Sequence, residues 1–171
     1  YYKTGTGILD YVEDEGARSV FYLYDFHNQL KVATVVNGSA GDYRFYTSFE
    51  TDQHNGWLLS GAGQGEVGTA ITGYKKFKLT RKQIDNGVPI LLAKDYTLSF
   101  WATTNSITIR SGSFTYSPTL VGPTRKGFTY YEYKLPTGST SLSITGNADI
   151  DELRFYPKES RMETTAYDPL V

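Results

Sequence analysis

Apolar and polar residues alternate along most of this chain, and helical spacing is scarce. Tyr96 to Ala102 puts Leu98 and Phe100 on one face and Ser99 and Trp101 on the other. Phe128 to Leu135 repeats the pattern, with Tyr131, Tyr133 and Leu135 inward and Tyr130, Glu132 and Lys134 outward. Ser19 to Tyr24 and Leu30 to Val36 read as two strands around the turn Asp25-Phe26-His27-Asn28. Tyr43 to Glu50, Thr69 to Leu79, Leu142 to Thr145 and Ile150 to Tyr156 read as further strands. Ser106 to Arg110 and Ser113 to Tyr116 form a hairpin around Ser111-Gly112. Thr80 to Gly87 is the one stretch where a helical turn is expected, stopped by Asn86-Gly87. About eight to ten short strands with turn signals between them predict an all-β fold, an antiparallel two-sheet β-sandwich.

The glycine-containing break from Gly38 to Gly41 marks a boundary. It divides an N-terminal β-hairpin extension, residues 1–40, from the sandwich, residues 41–157; residues 158–171 read as a C-terminal linker. A length of 171 residues suits one domain with short appended segments. The chain is expected to be a monomeric piece of a longer polypeptide.

Composition sharpens this picture in three ways. Aromatic residues are abundant, with 15 Tyr, 9 Phe and 2 Trp, so rings fill the core and some remain for a stacking surface. The net charge of −1 gives no electrostatic reason to bind nucleic acid or an acidic membrane surface. No apolar run approaches the roughly 20 residues of a membrane span. Cysteine is absent, which excludes disulfides and thiolate chemistry.

Motifs for catalysis are thin. Gly63-Gln64-Gly65-Glu66-Val67-Gly68 matches the dinucleotide fingerprint in letters, but that chemistry needs a preceding strand and a following helix to meet the pyrophosphate. Thr69 to Gly73 continues as strand or loop, so the segment reads as a plain loop. The two histidines, His27 and His54, sit in polar turns without a serine or metal-ligand signature. Glu13-Asp14-Glu15 reads as a solvated acidic turn. No enzyme is expected. Glu50 ends the first strand of the sandwich, and Asp151 opens the last. Outer strands of a closed sandwich lie side by side, so two carboxylates there, with loop carbonyls, make an all-oxygen site of the kind Ca²⁺ takes. Surface salt-bridging is the alternative.

Phe49-Glu50, Asn55-Gly56-Trp57, the Gly73-to-Leu79 strand and Ile150-Asp151-Glu152-Leu153 occur in an order that resembles the β-jelly-roll carbohydrate-binding modules of the galactose-binding-like superfamily. That pattern is a Phe-Glu strand, a Gly-Trp loop and a final strand carrying Ile-Asp-Asp-Val, and it spans roughly residues 43 to 157 here. The resemblance implies jelly-roll topology, a structural Ca²⁺ on Glu50 and Asp151, and a polysaccharide or oligosaccharide partner. Glu152 stands where the family often has a second Asp, and Leu153 where it has Val. The flanks resemble Rhs/YD-repeat proteins: Tyr22-Leu23-Tyr24-Asp25 through Leu30 is similar to a YD repeat, with Asn28 at its usual glycine. The stretch from Leu153 to Val171 resembles the junction into such an array in large surface proteins of the Bacteroidetes type. This implies an extracellular or cell-surface location.

A sugar would lie on rings that face away from the core. Alternation assigns outward positions to Trp101, Arg110, Tyr130, Glu132, Arg154 and Tyr156, while Trp57 is expected to be packed. A loop-tip site on Gln53, His54, Asn55 and residues 61–68 is the alternative. The leading expectation is a non-catalytic carbohydrate-binding module tethering a large surface protein. The rival is a structural spacer or protein-adhesion domain, and a third reading is a small glycan-cleaving enzyme needing two facing carboxylates.

Overall fold

The computed structural model describes residues 9–13, 19–61 and 65–167. Asp14 and Glu15 of the acidic turn, Gly63 and Gln64 of the glycine motif, and the last residues of the 158–171 segment lie outside this set. Strands run in chain order as β1 (Tyr11–Glu13), β2 (Ser19–Asp25), β3 (Leu30–Val36), β4 (Phe45–Thr47), β5 (Trp57–Leu59) and β6 (Glu66–Val67). The middle holds β7 (Lys75–Lys78), β8 (Gln83–Asn86), β9 (Tyr96–Ala102), β10 (Ile107–Ser111) and β11 (Phe114–Tyr116). The chain then forms β12 (Leu120–Arg125), β13 (Phe128–Leu135), β14 (Ser143–Gly146), β15 (Asp149–Pro157) and β16 (Arg161–Thr164). No helix occurs among the described residues.

All strand pairs are antiparallel, and they form three sheets. The largest runs β12-β13-β9-β15-β7-β6, with β4 also paired to β15. The second runs β11-β10-β14-β8-β5. Their inner faces share one core. Leu98, Phe100 and Phe155 of the large sheet join Ile84, Ile109 and Ile144 of the second in a single buried cluster. Each such side chain contributes about 1.5–3 kcal/mol by leaving water.

The third sheet, β1-β2-β3-β16, lies on the outer face of the large one. Phe21, Val32, Val35 and Met162 pack there against Tyr46 of β4, with Tyr156 of β15 beside them. The N-terminal hairpin is therefore closed by β16, which pairs with β3 from Arg161↔Val36 to Thr164↔Ala33. This strand falls in the stretch read from sequence as a linker. Its Met162 is buried, and that apolar contact holds it in place.

The helical turn expected over 80–87 is instead strand β8. Ile84 enters the core, and β14 and β5 pair with the strand on its two sides. Two-sided pairing overrides a weak local preference. Leu120–Arg125, which is not among the strands read from sequence, forms an edge, where Pro123 is tolerated.

Strand β15 carries a bulge that shapes the outer face. Asp151 pairs with Trp101, but Arg154 pairs with Ser99, so one extra residue is inserted on β15. Glu152 takes φ 54°, a left-handed conformation that strains a residue with a Cβ. The bulge lets Asp151 and Glu152 both avoid the core while Leu153 and Phe155 still enter it.

Candidate functional site: the outer face of the large sheet

Strand register brings the outward side chains into rows. Tyr130, Trp101 and Asp151 stand side by side on β13, β9 and β15. The next row is Glu132, Ser99 and Arg154, and the third is Lys134, Thr97 and Tyr156. Of the six residues assigned to a sugar face, five lie in these rows. Arg110 does not: it is exposed on β10, in the opposite sheet, across the thickness of the sandwich. Alternation gives a side chain's direction relative to the core, not the sheet that carries it.

The Trp101 and Tyr130 rings touch, with centroids 5.4 Å apart and planes at 58°. The Tyr130 hydroxyl donates to Glu132 Oε1 at 2.9 Å. Burial pushes the Tyr130 hydroxyl up to about 12, so it stays a donor at neutral pH. Its ring rests over Gly122 of the edge strand, where an added Cβ would lie 3.0 Å from the ring. A groove of about 460 Å³ adjoins this pair, lined by Thr97, Glu132, Lys134, Tyr156, Lys158 and Ser160 among others. Lys134 is held at its rim by Asp95, 2.7 Å away.

Arg154 is committed elsewhere. Its Nη2 donates to Glu152 Oε2 at 2.6 Å and to Thr164 Oγ1 at 2.7 Å. Glu152 also accepts from the Tyr46 hydroxyl at 2.8 Å, from Thr72 Oγ1 at 2.6 Å and from Thr164 Oγ1 at 2.9 Å. A buried carboxylate with this many donors is an anchor, joining β4, β15, β16 and the 70–75 segment.

Glu50 and Asp151 grip that same segment from two sides. Glu50 Oε1 accepts the N–H groups of Tyr74 and Lys75 at 2.9 and 2.7 Å. Asp151 Oδ2 accepts those of Ile71 and Thr72 at 2.7 and 3.1 Å, and its Oδ1 that of Glu152 at 2.7 Å. Gly73 has φ 59° and lies so close to Glu50 that a Cβ would collide with its carboxylate, so glycine alone fits. Burial, and then the charge of Glu152, push the Asp151 carboxyl up to about 7.

The donors here are all oxygen, the type Ca²⁺ takes, and to that extent the residues fit the ion. Two lysines already bring positive charge to the neighbouring carbonyls. Lys126 Nζ donates to Ala70 O and Ile71 O at 3.0 and 3.1 Å, and Lys75 Nζ to Glu50 O at 2.8 Å. Among the described residues no group of three or more His, Cys, Asp or Glu is arranged for a metal, so further ligands would have to be neutral oxygens such as backbone carbonyls.

In the loop alternative, Gln53, His54 and Asn55 are half-buried, residues 66–68 are exposed, and 62–64 lie outside the described residues. Gln53 Oε1 accepts the His27 N–H at 2.7 Å, and Thr51 Oγ1 donates to Asp25 Oδ1 at 2.6 Å, so the β2–β3 turn docks on this loop. Thr47 Oγ1 lies 3.3 Å from His54 Nδ1. Trp57 is buried in the main core. Thr97, Lys134 and Lys158 were not singled out from sequence, although the alternation that exposed Glu132 also exposes Lys134. No family model, curated protein or solved structure matches this chain.

Proposed function

We propose that this domain is a non-catalytic carbohydrate-binding module with jelly-roll wiring, which tethers a larger secreted or cell-surface chain to a polysaccharide. The observation that carries the reading is the Trp101–Tyr130 ring pair with Glu132, which lines a groove, hydrogen-bonded beside it. Sugar C–H groups pack on the electron-rich faces of such rings, and a carboxylate accepts sugar hydroxyls strongly. Glu132 is the single carboxylate among the groove-lining residues, which gives a two-carboxylate hydrolysis no second partner in that groove. The test is retention on immobilised plant, algal and microbial polysaccharides by wild type and Trp101→Ala. Retention weakened in the variant, with its melting curve intact, supports the reading. Absence of retention across the panel overturns it.

The spacer reading draws on the pairing of β3 with β16, which brings the two flanks of the sandwich into one sheet. That arrangement suits a domain inserted within a longer chain, as in a YD-repeat protein. It makes no use of a half-buried outward ring pair, and so it ranks second. We assign Glu50 and Asp151 as the residues that would hold a structural Ca²⁺, whose only task would be to tie the 70–75 segment to β15.

A further inference from the structure

We infer a second sugar-binding site, at the end of the sandwich between the β10–β11 hairpin and the turn at 136–140, suited to an uncharged sugar unit. It rests on the carbohydrate-binding reading above but involves none of the same residues. A cavity of about 450 Å³ lies there, within the size range of small-ligand sites. Its apolar wall is Phe114, Tyr116 and Pro136. Phe114 is 71% exposed on a three-residue strand, while Tyr116 is anchored against the main core. The wall thus combines one ring held rigid and one bare ring face beside a cavity.

The rest of the lining is neutral and polar. Ser111, Gly112, Ser113, Thr137, Gly138, Ser139 and Thr140 complete it, with no charged side chain. A charged ligand would lose hydration there and gain no counter-charge. A neutral polyol finds hydroxyls and peptide groups instead. Gly112 and Gly138 have φ of 56° and 85°, and nothing lies within 4 Å of where a Cβ would be built. The space above their Cα atoms is therefore open to an incoming sugar ring. Ser113 and Thr140 make no hydrogen bond among the described residues, so their hydroxyls are available.

Both turns are pre-organised, which lowers the ordering cost of binding. Gly112 N–H donates to Ser141 Oγ at 2.8 Å. The 136–140 turn is fixed by Gly138 N–H to Leu92 O at 2.7 Å, by Leu92 N–H to Ser139 O at 3.0 Å and by Thr137 N–H to Asp95 Oδ1 at 3.1 Å. Tyr130 and Pro136 are separated along β13 by roughly 20 Å, at about 3.3 Å per residue. Two sites at that spacing on one domain make binding to a polymer bivalent, so a long glycan is held more tightly than its oligosaccharide.

The test compares wild type, Phe114→Ala, Trp101→Ala and the double variant by affinity electrophoresis in β-glucan, xylan and galactomannan. Amide NMR of Trp101→Ala with short oligosaccharides of the retarding polymer follows. Phe114 is exposed, so its replacement leaves the core intact. The expected result is about tenfold weaker retardation in Phe114→Ala, the scale of one aromatic contact. Shifts confined to the amides of 111–113 and 137–140 are expected in the Trp101→Ala protein. Full retardation of Phe114→Ala, with Trp101→Ala abolishing all binding and those amides unmoved, overturns the second site and leaves the first standing. Wild type unretarded in every polymer overturns both.

Discussion

Thr164 donates its hydroxyl to Glu152 Oε2 at 2.9 Å, joining the last described strand to a carboxylate buried in the sandwich. The bond crosses from the small sheet to the large one. Tyr46, Thr72 and Arg154 meet the same carboxylate, so Glu152 couples the flanking sheet to the face beside the proposed sugar site.

Replacing Glu152 by Ala should therefore destabilise the fold by about 3–5 kcal/mol, because it leaves the Arg154 charge and several hydroxyls without their acceptor. Glu152→Gln keeps some of those contacts and should cost less. Urea unfolding of the two variants beside wild type checks the order.

Trp101→Ala should weaken glycan binding by about tenfold, equivalent to ~1.4 kcal/mol, with little change in thermal midpoint. Trp101 is only half-buried, and Trp57 lies in the core. A saturable change in tryptophan emission on adding ligand, lost in the variant, is the readout.

Gly122→Ala should weaken the same binding by displacing the Tyr130 ring. Its Cβ would stand 3.0 and 3.3 Å from Tyr130 Cδ1 and Cβ, so the Tyr130 ring has to turn. Tyr130→Ala should remove this sensitivity, and a double-mutant cycle measures the coupling.

Alkaline pH should unfold the domain through its tyrosines. Burial is the leading cause that holds Tyr96, Tyr130 and Tyr133 up at about 12 and Tyr46 well above the usual tyrosine value. The folded state then binds more protons than the unfolded one above pH 10. Their contribution is complete below pH 10 and is lost as pH rises towards 12. Phenolate absorbance and circular dichroism should change together over that window; phenolate forming well before the fold is lost would contradict it.

Excess chelator should lower the thermal midpoint, and added Ca²⁺ should restore it, if Glu50 and Asp151 share an ion. An unchanged midpoint would leave the N–H bonds and the Lys126 contact as the whole of the tie.

Sequence alternation alone located the strands around Leu98, Phe100, Tyr131 and Tyr133, because both of their faces are sharply divided. It missed strands whose existence depends on distant partners. Gln83–Asn86 is a strand through β14 and β5, and Arg161–Thr164 through β3. The bulge at Glu152 left no local signal, since it arises from two adjacent acids competing to stay out of an apolar core. Arg110 looked like part of the sugar face for a related reason: period two cannot distinguish one sheet's exterior from the other's.

The flanking sheet packs on Tyr46 of β4 and Tyr156 of β15, on the outer face of the large sheet. On the proposed sugar-binding reading, its margin would bound how many sugar rings that face can read. Lengthening or trimming the β15–β16 connection, where Lys158 and Ser160 edge the groove, would reset that aperture while the core beneath stayed as it is.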